Sequence, residues 1–406
     1  MQQHSHPYRW VLLGALWMVY FSFGLAVFSM APLLETIRED LGLSKGAMGA
    51  VLSAWPLVYL VAALPAGTLI DRLGLRHSLA IATVLISASS LLRPIADNFI
   101  GLFGAVAIFG IGGPLVSVGA PKLVSVWFAV DERPLAMGIT MSGPGIGGVV
   151  ALATANSVLM PAFDQSWRST LMVYAVVTVA VIAVWLVVAT AAERIAPEAD
   201  RNTDPEGGFS GAWNLIREHQ AVQIMLVVAL GMFFYNHALN GWLPTVIEDR
   251  GFSSSVAGYL AGAVTALGIV GALLGPRMVP DKSRITAMAL GFALFGMATL
   301  LLNVDTRPTT FAGLVVIGLI KGLAVPVALL VMMQLPGVSP SNMGAAGGLF
   351  FTAGEAGGVA GPVLFGVLSD IGGSNAGLVL LTGVTFATAL LTVLLRSAMA
   401  RAVGHR

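Results

Sequence analysis

The feature that most constrains the fold is a series of long apolar runs, each about as long as a membrane is thick. A helix needs ~20 apolar residues to cross the hydrocarbon core of a bilayer. Only 10% of the 406 residues are charged, against about 25% in soluble domains. The sequence therefore predicts an all-α membrane protein with 12 transmembrane helices. The runs lie at 11–33, 47–69, 79–95, 101–126, 136–160, 169–191, 222–245, 256–276, 285–303, 310–334, 344–368 and 376–395.

One polar break is much longer than the others and divides the runs six and six. It extends from Glu193 to Gln220 and contains Pro197, Pro205 and adjacent glycines. This composition is typical of a flexible linker. We therefore predict an N-terminal six-helix bundle at 1–192, a linker at 193–220 and a C-terminal six-helix bundle at 221–406.

The distribution of Lys and Arg predicts the orientation. Cytoplasmic loops of membrane proteins are enriched in these residues. With the N-terminus in the cytoplasm, thirteen of them fall on the cytoplasmic side and five on the other, which predicts that both termini are cytoplasmic. We expect the membrane to be the plasma (inner) membrane. The larger set is Arg9, Arg72, Arg76, Arg133, Arg194, Arg201, Arg217, Arg277, Lys282, Arg284, Arg396, Arg401 and Arg406; the smaller is Arg38, Lys45, Arg168, Arg250 and Arg307.

The two halves repeat each other at an offset near 210 residues. Duplicated six-helix halves related by an axis along the membrane normal are one known transporter architecture. Several glycines in register make the repeat specific. The matching positions are Ala136, Gly138, Gly147, Gly148 and Gly112 in the first half, and Ala346, Gly348, Gly357, Gly358 and Gly322 in the second.

The loop between the second and third runs carries a recognisable motif. Residues 67–76 read GTLIDRLGLR. This pattern, G-x-L-x-D-R-x-G-x-R, resembles the loop between helices 2 and 3 of the major facilitator superfamily (MFS) of secondary transporters. The resemblance covers nearly the whole chain and implies the MFS fold with two pseudo-symmetric six-helix bundles. The segments 120–128 and 335–338 resemble the branch of cyanate and nitroimidazole carriers, or a related organic-anion branch.

The resemblance implies that this loop is a cytoplasmic gate. Its members are Gly67, Asp71, Arg72, Gly74 and Arg76. Asp71 is expected to face the start of the eleventh run, around residues 341–342, where a helix N-terminus favours a carboxylate. The two arginines are expected to pair with Asp131 or Glu132 in the next cytoplasmic loop. The alternative is that these charges only set the topology.

Charged residues are nearly absent from the middle of the runs. Among twenty acidic residues only Glu355 lies mid-span, and among twenty-one Lys and Arg residues only Lys321 does. A charge at the bilayer centre costs at least ~2.5 kcal/mol, so we expect the two to pair. The pair is either structural or functional. In the functional reading, Lys321 attracts an anionic substrate and Glu355 accepts a proton.

The seventh run contains a polar group of three residues. His237 is the histidine expected within the membrane, and Asn236 and Asn240 share one helix face. The resemblance implies a cavity lined by runs 1, 4, 7 and 10. The predicted substrate-binding residues are therefore Lys321, Tyr20, Asn236, His237 and Asn240, and the predicted proton-coupling residues are Glu355 and His237. The alternative role of the seventh-run group is hydrogen bonding between helices. Arg93 is expected to extend to a membrane surface.

The sequence indicates transport and excludes several other functions. A phosphate-binding G-x-x-x-x-G-K-[ST] loop is absent, as are clustered metal ligands and nucleophile motifs. The net charge of +1 does not suggest a nucleic-acid partner. We predict a monomeric, proton-coupled transporter of a small organic solute, in particular an organic anion, that works by alternating access without catalytic residues, metal or cofactor. One alternative is an efflux pump for amphipathic drugs, suggested by the Gly143–Pro144 motif of exporters. Another is a non-transporting membrane sensor with the same fold.

Overall fold

The computed structural model describes residues 6–129, 131–195, 216–304, 306–338 and 343–404, and most of the chain within these ranges is helical. Two helices begin at caps that the sequence encodes. Asn98 accepts a hydrogen bond from the N–H of Gly101 at 2.9 Å, and Thr306 accepts one from Thr309, which satisfies donors that a helix start leaves free. The uninterrupted helices are α1 (Tyr8–Phe28), α4 (Phe99–Trp127), α5 (Arg133–Thr154), α6 (Trp167–Ile195), α7 (Gln220–Glu248), α8 (Ser254–Met278), α9 (Arg284–Asn303) and α10 (Arg307–Met332).

Two longer helical stretches each contain a pair of helices divided at glycine. Lys45–Leu92 breaks at Gly74, where φ is +79°, into α2 (45–73) and α3 (75–92). Met343–Gly404 breaks at Gly372 and Gly373, with φ of +67° at the second, into α11 (343–371) and α12 (374–404). A positive φ is readily adopted only by glycine. Among the described residues, eleven stretches are long and apolar enough to cross a membrane, and the last, Ala346–Arg401, holds both α11 and α12. The predicted twelve membrane helices are therefore confirmed.

The helices group into two compact units. The first unit comprises Met1–Leu43, Ala54–Asn202 and Ser253–Gly262; the second comprises Ser44–Ser53, Thr203–Phe252 and Ala263–Arg406. The first ten residues from Ser44 thus group with the second unit. The division predicted from the sequence, at 1–192, 193–220 and 221–406, is not tested by this grouping and stays a prediction. Most of the predicted linker, 196–215, lies outside the described residues.

In the first unit, the core forms where α1, α3, α4 and α6 contact one another. Leu16, Ile86 and Phe109 are fully buried there. Trp185 of α6 is also buried, and its indole N–H donates to the backbone carbonyl of Arg76 at 3.1 Å. A buried indole usually requires such an acceptor, so this bond fixes α6 against the start of α3.

Helices α1 and α5 of this unit approach until their backbones touch. A methyl group added at Gly147 would overlap the carbonyl oxygen of Phe21, and one added at Gly24 would overlap that of Pro144. Small residues allow this approach between membrane helices. The glycine-rich run at 143–148 is therefore a helix-packing surface rather than a nucleotide-binding loop.

In the second unit, α7 and α11 make the corresponding contact. A methyl group at Gly357 would overlap the carbonyl oxygen of Leu230, and one at Gly361 would overlap that of Phe234. Gly147 and Gly357 thus have equivalent roles, as their register in the repeat predicts. The internal repeat is visible here as the same backbone contact made twice.

One pair in the predicted repeat is displaced by two residues. Gly322 of α10 lies against the backbone of Gly268 in α8, where a methyl group would overlap the carbonyl oxygen. In the first unit, the residue of α4 that meets the corresponding helix α2 is Gly110, which lies against the carbonyl of Trp55. Gly112 instead faces Ala82 of α3. The structural counterpart of Gly322 is therefore Gly110, because glycine spacing alone does not say which neighbour a helix face meets.

Candidate functional site

Three helices of the second unit bring together five of the polar residues named from the sequence. Lys321 lies near the middle of α10 and Glu355 near the middle of α11. The third helix, α7, supplies Asn236, His237 and Asn240. The glycine contact between α7 and α11 holds their backbones close, so side chains at this level of the two helices meet.

Lys321 begins a hydrogen-bonded chain that has a fixed direction. Its ammonium group donates to Oδ1 of Asn240, and Nδ2 of Asn240 donates to Oδ1 of Asn236 at 2.6 Å. Because an ammonium group can only donate, the Asn240 oxygen must face Lys321, and both amide orientations follow. The chain therefore ends at the N–H₂ group of Asn236, which has no acceptor among the described residues.

A small hollow, with a cavity volume of about 10 Å³, lies beside this chain. Its polar lining comes from Asn236 and Lys321, and its remaining walls are apolar or aromatic. That volume is about the room that one water molecule needs. A solute can bind here only when the hollow widens. The other lining residues are Met232, Tyr235, Leu239, Phe292, Phe295 and Ala324.

His237 and Glu355 form a second polar group on the neighbouring face of α7. Nε2 of His237 lies 3.7 Å from Oε2 of Glu355. Nδ1 lies 3.0 Å from the carbonyl oxygen of Phe233. Glu355 is only 6% exposed, and its Oε2 has no hydrogen-bond partner among the described residues. A buried carboxyl group without such a bond is costly, which marks this position as functional or strongly constrained.

The prediction that Lys321 pairs directly with Glu355 is wrong. Lys321 bonds to Asn240, and the ionisable partner of Glu355 is His237. Helix α7 supplies both partners from different directions, because its residues 237 and 240 point about 60° apart around the helix axis. The roles predicted for these residues in substrate binding and proton coupling stay predictions.

The structure describes only part of the predicted gate. Gly74 is required at the break between α2 and α3 by its positive φ. Gly67 has open space around it, so packing does not explain a glycine there. Arg72 is exposed, and Arg76 is half-buried with its backbone carbonyl bonded to Trp185. The side chain of Asp71 and its expected neighbours at 341–342 lie outside the described residues.

Glu132 has a different partner from the one expected. Its carboxylate lies 2.7 Å from the guanidinium group of Arg9, at the start of α1, rather than at Arg72 or Arg76. The close contact of α1 with α5 explains this, because the two helices run side by side and their first turns meet. The sequence carries no signal for this pair, and the gating role of Glu132 stays a prediction.

Two further residues are more buried than the sequence suggested. Tyr20 is 5% exposed, and its hydroxyl donates to the carbonyl of Val116 at 3.3 Å; its role in binding stays a prediction. Arg93 does not extend to a surface. It is 3% exposed and donates to the carbonyl of Ala26 and to two serine hydroxyl groups. The acceptors come from the end of α1 and from α3, and the apolar pattern of the sequence does not reveal that Arg93 contacts them.

The architecture and the site together define a class of protein. Long apolar helices that carry a few ionisable groups at mid-depth are characteristic of membrane transporters and ion pathways. A duplicated six-helix arrangement narrows this to secondary transporters. The chain belongs to the Major Facilitator Superfamily, whose family model matches residues 16–362. The resemblance noted in the loop at 67–76 is thereby confirmed.

Characterised relatives support the same class. The hexuronate transporter of Bacillus subtilis (strain 168) is 27% identical over 375 residues, covering 86% of this chain and 85% of the relative. The 2-nitroimidazole transporter of Escherichia coli (strain K12) is 27% identical over 329 residues, covering 77% and 80%. A bacterial homolog of the human lysosomal transporter Spinster, solved in an inward-facing and unoccupied conformation, superposes with a TM-score of 0.76 at 17% identity over 98% of each chain.

These comparisons establish the general activity. The protein is a multi-pass integral membrane transporter of small solutes, not an enzyme. The structural likeness shows the fold alone, and the matched twelve-helix architecture agrees with the helices described above.

Proposed function

We propose that this protein is a secondary active transporter that moves a small organic anion across the membrane by alternating access, driven by a proton gradient. Lys321 and Asn236 bind the anionic group of the solute. Asn240 orients both of them, and His237 and Glu355 carry the coupling proton. The hexuronate transporter among the relatives is named for a carboxylate solute, which supports the anionic class.

The single observation that carries the anion assignment is the direction of the hydrogen-bonded chain. Both ends of the chain present donors: the ammonium group of Lys321 and the amide N–H₂ of Asn236. A carboxylate only accepts hydrogen bonds, and bonds to charged groups are about twice as strong as neutral ones. A site with donors at both ends selects a carboxylate over a neutral hydroxyl compound or a cation.

The second polar group supports the proposed energy source. Membrane transporters use buried acids and histidines as proton carriers. Glu355 and His237 meet at mid-span, and a histidine side chain in water titrates near neutral pH. A proton gradient is therefore the proposed driving force, and the loop at 67–76 is the proposed cytoplasmic gate. We further propose a monomer in the inner membrane with both termini in the cytoplasm.

Uptake into proteoliposomes tests the proposal. Labelled hexuronate and aromatic carboxylates are the probes, with an imposed pH gradient. Lys321→Ala removes the charged donor of a buried polar contact, a loss of about 2–5 kcal/mol. The expected decrease in kcat/KM is at least ~30-fold, at 1.4 kcal/mol per factor of ten. Lys321→Arg keeps the charge and should retain measurable transport.

The matched control is Lys282→Ala, which removes an exposed lysine beside the start of α9. It should leave uptake unchanged. Transport of cationic drugs by both the wild type and Lys321→Ala, with no carboxylate uptake, would contradict the proposal and favour the efflux pump. Carboxylate uptake that is insensitive to a protonophore would contradict proton coupling alone.

A further inference from the structure

The contact between His237 and Glu355 constrains how many protons the two residues hold. His237 lies on the face of α7 that meets α11, with Nε2 directed at Oε2 of Glu355 at 3.7 Å. The surroundings on this side are aromatic. The ring of Phe233 lies 5.7 Å from the imidazole, and those of Phe350 and Phe351 each lie 6.0 Å from Phe233. Water therefore has little access to replace either group as a partner.

The other ring nitrogen fixes the tautomer of the histidine. Nδ1 is 3.0 Å from the carbonyl oxygen of Phe233. A carbonyl oxygen is only an acceptor, so Nδ1 carries a hydrogen whenever this bond exists. The nitrogen that gains and loses a proton is consequently Nε2, which faces the carboxyl group of Glu355.

We propose that His237 and Glu355 form a site that holds a single proton between Nε2 and Oε2. Without a proton, a nitrogen lone pair faces a carboxylate oxygen and the two repel. With two protons, two hydrogens face each other across the same gap. One proton, on either atom, joins them as acid and base or as imidazolium and carboxylate. The two residues then titrate as a pair rather than separately.

Gly358 is the positioning residue of this site. A methyl group at Gly358 would lie 2.5 Å from Nδ1 and 2.8 Å from Cε1 of His237, and 3.2 Å from Oε2 of Glu355. Contacts below 3.0 Å force a displacement, so only glycine leaves room for the ring in this orientation. Gly358 lies three residues beyond Glu355, on the same face of α11.

The other ionisable groups of the neighbouring helices lie on a different face of α7. Lys321 of α10 bonds to Asn240. Tyr235 of α7 directs its hydroxyl to Thr299 of α9, at 3.1 Å. At mid-span, the described residues of α9 contribute no charged group, and α11 contributes Glu355 alone. The pH response of the site is therefore set mainly by the two residues themselves.

Because coupling through this site rests on the proposed transport function, the first test measures the site without transport. Nitrogen-15 NMR of histidine-labelled protein distinguishes the tautomers, and His237→Asn identifies the signal among the six histidines. Nδ1 is expected to stay protonated across the pH range. Nε2 is expected to show one titration step, and Glu355→Gln should remove that step. A ring protonated at Nε2 and bare at Nδ1, or a histidine step that is unchanged in Glu355→Gln, would overturn the proposal.

Uptake assays then test the positioning role. Gly358→Ala should reduce proton-driven accumulation by about tenfold or more, since displacements near 1 Å cost a working site up to ~10²-fold, and should shift its pH profile. Solute exchange without a gradient should persist. Gly383→Ala is the matched control, because Gly383 in α12 has open space around it. A Gly358→Ala protein with lower yield but an unchanged pH profile would show a purely structural role. A one-proton NMR signature in a protein whose uptake ignores the pH gradient would refute proton coupling and leave the site intact.

Discussion

The carboxylate of Asp370 accepts a hydrogen bond from the backbone N–H of Lys45 at 2.8 Å, although 325 residues separate the two. Its second oxygen accepts the N–H of Gly46, also at 2.8 Å. The first N–H groups of a helix lack partners within the helix and favour a negative charge. The end of α11 therefore supplies the cap for the start of α2, and Gly366 allows the contact by lying against the carbonyl of Lys45.

Removing this cap should lower stability. Asp370→Ala is expected to reduce the free energy of unfolding by about 0.5–2 kcal/mol, the usual range for a lost N-cap. Asp370→Asn keeps one acceptor, so its stability should lie between that of Asp370→Ala and that of the wild type. Thermal melting of the purified proteins measures this order of stability. Glu218→Ala removes an exposed carboxylate and is the control; equal melting of Asp370→Ala and this control would contradict the capping role.

The backbone contact between α1 and α5 should tolerate no side chain at Gly147. Gly147→Ala places a methyl group against the carbonyl of Phe21 and 2.7 Å from the backbone nitrogen of Leu25. Overpacking of this kind costs about 1–3 kcal/mol, so the melting temperature and the yield of monodisperse protein should fall. Gly14→Ala, also a glycine of a membrane helix but with open space around it, should leave both unchanged. A similar loss in the two variants would contradict the contact as the cause, because alanine has the higher helix propensity and propensity alone would not lower stability.

Arg93 should contribute to stability through its fork of donors rather than through charge. Its guanidinium group bonds to the carbonyl of Ala26 and to the hydroxyl groups of Ser29 and Ser89. Arg93→Met leaves these buried acceptors without that donor, which costs about 1–3 kcal/mol. Arg93→Lys keeps the charge but cannot match the planar geometry. We expect the melting temperature to fall from the wild type to Arg93→Lys and further to Arg93→Met. An Arg93→Lys variant as stable as the wild type would show that charge alone is sufficient.

The two asparagines of α7 should affect anion binding differently. Asn236→Leu removes one donor from the proposed site, and a bond to a charged group is worth about 1.5–3 kcal/mol, or roughly 10- to 150-fold in affinity. Asn240→Leu leaves Asn236 in place but removes the bridge to Lys321. Its affinity should fall and recover partly in an Asn240→Gln variant. Binding is measured by calorimetry with the transported carboxylate; unchanged affinity in Asn236→Leu would contradict a direct contact.

The sequence predicted the elements and the polar residues but not their pairing. Membrane helices are recognisable because apolar runs of sufficient length have few other uses, and mid-span ions are conspicuous because they are costly. Pairing depends on how each helix is rotated about its axis. A span that is apolar on every face carries no periodic signal for that rotation. The sequence therefore placed Lys321 and Glu355 at mid-span but paired them incorrectly, and their roles stay predictions.

Contacts between segments that are distant in the chain could likewise not be predicted from the sequence. Nothing around Asp370 indicates that it caps α2, and nothing around Arg9 indicates that Glu132 is its partner. Both follow from which helices lie side by side, and the glycines that decide this are too numerous, at 48, to identify the true contacts by themselves. The displacement from Gly112 to Gly110 as the counterpart of Gly322 has the same cause.

The cap of α2 by Asp370 also has a consequence during synthesis. A ribosome adds about 5–20 residues per second, so the 325 residues between Lys45 and Asp370 take roughly 15–65 s to appear. Throughout that interval the nascent chain holds the beginning of α2 without its cap and with Gly46 and Gly49 uncovered. The beginning of α2 is therefore completed only after one of the last helices has been made.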